Sequence, residues 1–141
     1  MAVESTLALI IGPSIVFGII IGLYELFLIH ADENFRGSHW LSHGIHAALI
    51  AIVAVFATMN VDYVLSFFPT LPPLLANALL IRIIIGLIFA IKVYTVSAVV
   101  QGARGAGMHE KFYHILIAAA LVVIVPYIYP FVEPLFPEFL R

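Results

Sequence analysis

Residues 6–30 read TLALIIGPSIVFGIIIGLYELFLIH, and Glu25 is the one Asp, Glu, Lys or Arg among them. About 20 helical residues cross the ~30 Å hydrocarbon layer of a bilayer. This run is long enough to do so and holds almost nothing that lipid would reject. It exceeds the roughly 7–15 apolar residues of a signal-peptide core and has no Lys or Arg before it, so it is expected to persist as a helix.

Three further runs have the same character, over about residues 41–60, 74–101 and 112–131. Backbone polar groups exposed to lipid must be satisfied within their own segment, which makes each run a helix. The alternating pattern of a barrel strand is absent. The whole chain agrees: 141 residues, 64% hydrophobic and 10% charged, with a mean hydropathy of +1.17. A soluble domain carries roughly 25% charged residues. The sequence predicts an all-α integral membrane protein, a single transmembrane domain of about four helices over 1–141. Short loops make neighbouring helices antiparallel. With no cysteine, disulfides and thiolate metal sites are excluded. A net charge of −2 without a basic patch predicts no nucleic-acid partner.

The connections differ in kind. Residues 31–40 are polar. Residues 61–73 are apolar and carry Pro69, Pro72 and Pro73, which suits the membrane interface. Residues 102–107 are glycine-rich and lack the lysine and hydroxyl spacing of a phosphate loop. Arg36, Arg104 and Lys111 fall on the first and third connections, against Arg82 and Arg141 on the other side. This bias places the first and third loops in the cytoplasm and both termini outside. Pro126 is expected to kink the fourth span. Residues 127–141, rich in Tyr, Phe and Pro, are expected to form a bent interfacial tail.

Small residues let helices approach closely in lipid. Ser14, Gly18 and Gly22 repeat every four residues, and Glu25 continues their face. His43, Ala47, Ala51, Ala54 and Thr58 form a second stripe, and Gly86 and Ala90 a third. Glu25, His46 and Lys92 are ionisable groups within spans, which is costly unless they face protein or water. Glu25 and Lys92 are therefore candidates for an ion pathway, with a mutual ion pair as one expectation. Asp62 and Arg82 are expected to pair structurally across the second turn.

All six histidines fall on one side of the predicted bundle. His39, His43 and His46 project within about 60° of each other at ~100° per residue. Histidines one helical turn apart can share a metal ion. His114 and Glu110, four apart at the mouth of the fourth span, could complete such a set. His30, Asp32, Glu33 and His109 lie nearby as pH-sensing or accessory groups, since imidazole titrates near pH ~6.5. A His/carboxylate set without sulfur points to a divalent transition metal such as Zn or Fe. His39 and His43 resemble the first histidine box of membrane di-iron desaturases and hydroxylases, whose later boxes this chain lacks. His46 and His114 on separate helices are similar to the haem clamp of b-type cytochromes, which makes haem the lesser cofactor expectation.

The leading functional expectation is an oligomeric ion or metal transport or channel protein, with the bilayer, a second copy and a small ion as partners. The alternative is a membrane-embedded metal- or haem-binding oxidoreductase or hydrolase. A further alternative is an accessory subunit of a membrane complex.

Overall fold

The computed structural model describes residues 8–31, 40–97 and 111–141. The expected residues His39, Asp32, Glu33, His109 and Glu110 lie outside these. The described residues contain helices α1 (Gly12–Ala31), α2 (Trp40–Met59), α3 (Val61–Ser66), α4 (Ala78–Ser97) and α5 (Phe112–Val132), and no strand. α1, α2, α4 and α5 are each long and apolar enough to cross a membrane.

The long helices form a closed bundle. α2 and α5 contact each other, and α1 and α4 each pack against both of them. α1 and α4 thus occupy opposite corners. The interior is built from small and branched side chains, with Ala47, Ala51, Val55, Val93, Ala118 and Val122 near zero exposure. The exterior is apolar as well: Ile20, Leu23, Phe27, Val53, Leu87 and Ile91 are all exposed. Continuous exposed apolar surface on this scale suits lipid rather than water.

The small-residue stripes are the contact surfaces. Ser14, Gly18, Gly22 and Glu25 are buried on α1, as are His43, Ala47, Ala51, Ala54 and Thr58 on α2. At Gly18 an added Cβ would lie 2.6 Å from Ile52 Cα, and at Gly22 it would lie 2.8 Å from Ala48 Cβ. The backbones of α1 and α2 approach as closely as glycine permits.

Helix ends follow local chemistry that span length alone does not reveal. α1 starts at Gly12, later than the expected residue 6. Pro13 sits in its first turn, where a missing N–H costs nothing. Residues 8–11 are non-helical and are held by Asn60, whose Oδ1 accepts from Ile10 N at 2.6 Å and whose Nδ2 donates to Ile10 O at 3.0 Å. α4 starts at Ala78, after the expected 74. Leu75 and Ala76 N–H both donate to Pro72 O, closing a turn. Asn77 Oδ1 then accepts from Leu80 N at 3.1 Å, as an N-cap does. Part of the second connection is helical, as α3.

The C-terminal region differs most from expectation. α5 continues through Pro126 and Pro130 to Val132, so residues 127–132 belong to the helix rather than to a tail. Proline at 126 removes the N–H that would bond Val122 O. Thr58 of α2 takes over that acceptor, with Oγ1 at 3.0 Å from Val122 O and 3.1 Å from Val55 O. Such side-chain replacement is how membrane helices tolerate proline. Two 3-10 turns follow, Glu133–Leu135 and Glu138–Leu140. They fold back on α1: Phe136 packs 5.7 Å from Phe17 and 6.0 Å from Tyr129 between ring centroids.

Candidate functional site

Three buried ionisable side chains lie in one half of the bundle, each from a different helix. Glu25 is 0% exposed, six residues before the end of α1. His43 is 3% exposed in the first turn of α2, and His114 is 8% exposed in the first turn of α5. The helix halves that hold them end at the first and third connections. Glu25 is carried inward by the ladder that buries Gly18 and Gly22. His43 extends the α2 alanine stripe by one turn. His114 shares its inward face with Ile115, Ala118 and Val122. Glu25, His30, Ser42, His43, Tyr94, Lys111 and His114 all take part in polar or ring contacts. Tyr94 meets Phe112 edge-on at 6.4 Å between the end of α4 and the start of α5.

The other expected site residues sit elsewhere. His46 and Lys92 are exposed and line an apolar groove of about 550 Å³ between α2 and α4. Lys92 does not join Glu25, because α1 and α4 occupy opposite corners with α2 and α5 between them. His43 and His46, three residues apart, straddle the edge of the buried face: one turns into the bundle and the other out to the groove. His30 is exposed at the end of α1. Among the described residues, no three His, Asp or Glu side chains come together as a metal-binding group. Carboxylate and imidazole groups are both able to accept and release a proton.

The opposite end holds a polar site that is much more elaborate than the expected pair. Arg82 Nη2 meets Asp62 Oδ2 at 2.6 Å. Its Nε donates to Thr58 O at 3.1 Å, and its Nη1 lies 3.2 Å from Tyr127 Oη. The guanidinium also stands 5.0 Å from the Tyr127 ring centre. Thr58 O belongs to the last turn of α2, whose carbonyls have no partner within the helix. Arg82 therefore closes the C-terminus of α2 with a cation, where the helix dipole favours one. A cavity of about 560 Å³ beside it is lined by Asp62, Arg82, Tyr129, Glu133 and Arg141, among others. Sequence reading found the Asp62–Arg82 pair and missed Thr58 and Tyr127. Only the register between helices brings those two together with Arg82.

Comparison with known proteins finds no family model, no curated protein and no solved structure that matches this chain.

Proposed function

We propose that this chain is a multi-pass membrane protein that moves protons or a small cation through the bilayer, using Glu25, His43 and His114 as its intramembrane site. The observation that carries this reading is the burial of three ionisable side chains, from three helices, in one half of the bundle. Ionisable groups inside a membrane span are costly and mark ion pathways or proton relays by default. Around these three side chains the hydrophobic core packs alanine, valine and isoleucine together with Met59, Phe89 and Tyr129. That packing favours proton transfer between side chains over passage of a hydrated ion. Oligomeric assembly would extend the route across the other half, where Asp62 and Arg82 lie. On the Lys/Arg distribution, the Glu25 end faces the cytoplasm. A divalent-metal reading rests on His39 and Glu110 joining His43 and His114.

Proton flux into liposomes under an imposed potential tests the proposal. The wild-type protein should acidify or alkalinise the lumen well above protein-free liposomes. Glu25→Gln keeps the volume of the side chain and removes its charge, and should cut the flux at least tenfold. A wild-type rate equal to that of empty liposomes, or a Glu25→Gln rate equal to wild type, would sink this reading.

A further inference from the structure

We infer that the groove between α2 and α4 is a binding site for one anionic membrane lipid. Its acyl chain would lie along the helices, and its headgroup would sit at Lys92 and His46. The groove walls are apolar: Leu49, Val53, Ile85, Ile88 and Phe89 line it, with Ala57 at the far end. From His46 to Ala57 it follows α2 for about 16 Å at ~1.5 Å per residue. That is close to half of the ~30 Å hydrocarbon core, the depth of a single leaflet. Its volume of about 550 Å³ falls within the roughly 300–1,000 Å³ of sites that enclose small ligands.

Polarity is confined to one end. His46 and Lys92 are both within the half of the bundle that ends at the first and third connections. Lys92 lies five residues before the end of α4, so its aliphatic stem can run along the groove and lift the ammonium to headgroup level. Among the described residues, no carboxylate pairs with Lys92 or His46. An apolar trough one leaflet deep, with a cation and an imidazole at its mouth, is complementary to a chain with a phosphate at its head. Basic pockets between membrane helices hold anionic headgroups in this manner. A zwitterionic headgroup also carries a phosphate, but its own ammonium offsets that charge, so an anionic headgroup matches Lys92 better. A helix from a second copy would bring no anion to it.

Delipidated protein in detergent, titrated with phosphatidylglycerol and with phosphatidylcholine and read by native mass spectrometry, tests the proposal. Wild type should retain one phosphatidylglycerol at least tenfold more tightly than phosphatidylcholine. Lys92→Gln should erase that preference while leaving the bundle folded, since the side chain is exposed. Val53→Trp, which fills an exposed wall position, should weaken both lipids together. Equal affinity of wild type for the two lipids would overturn the proposal. So would an unchanged preference in Lys92→Gln, or a dimer that closes the groove and excludes lipid.

Discussion

Arg82→Ala should lower the stability of the bundle by about 2–4 kcal/mol, more than any other single surface-to-interface truncation at that end. Three acceptors lose their donor at once: Asp62 Oδ2, Thr58 O and Tyr127 Oη. A hydrogen bond from a charged group contributes roughly 1.5–3 kcal/mol, and a buried acceptor left without a donor costs about 1–3. The terms differ in weight. Asp62 is 53% exposed while Arg82 is 7% exposed, so water replaces the ion pair cheaply but cannot reach the end of α2. Asp62→Ala should therefore cost only about 1 kcal/mol or less. Arg82→Lys should recover little, because one ammonium cannot reach three divergent acceptors as a planar guanidinium does. Thermal unfolding in detergent, followed by circular dichroism, reads these differences as midpoint shifts of roughly 7–14 °C for Arg82→Ala. Equal losses for Arg82→Ala and Asp62→Ala would mean that the ion pair, rather than the capped helix end, carries the energy.

Gly22→Leu should prevent α1 from docking on α2. Even the first added carbon would stand 2.8 Å from Ala48 Cβ and 2.9 Å from Ala48 Cα, and the backbone cannot rotate away as a side-chain tip can. Overpacking of this kind costs about 1–3 kcal/mol when the neighbours can shift. Gly22→Ala should fall in that range. Leucine adds three more carbons to the same gap and should yield protein that no longer elutes as one folded species from detergent gel filtration. Leu23→Ala, one residue on but 58% exposed, should be nearly silent. A folded, monodisperse Gly22→Leu protein would show that the two helices do not meet at this face.

The four long apolar helices were legible because hydropathy and length act residue by residue. The packing faces were legible too, since glycine and alanine repeat at helical spacing where backbones must approach. Helix starts were less so. Pro13 and Asn77 decide them through one missing donor and one side-chain cap, within runs that are apolar on both sides. Glu25 could be turned inward from its ladder alone. His43 and His46 could not be separated, because a 60° difference on a helix wheel decides burial only once the neighbouring helix is placed. The partnership of Thr58 with Val122 O was invisible for the same reason. Proline at 126 announces that an acceptor is freed, but the helix that supplies the donor is set by tertiary register.

All of these inferences depend on the four long helices crossing the bilayer with the Glu25, His43 and His114 ends on one side. The chain contains no cysteine, so single introduced thiols report position without background. Asn34→Cys, Thr70→Cys and Gly105→Cys sample the three connections. With an impermeant maleimide on sealed membranes, residues 34 and 105 should label from one face, the cytoplasmic one, and residue 70 from the other. Labelling of all three from the same face would contradict the four-crossing bundle.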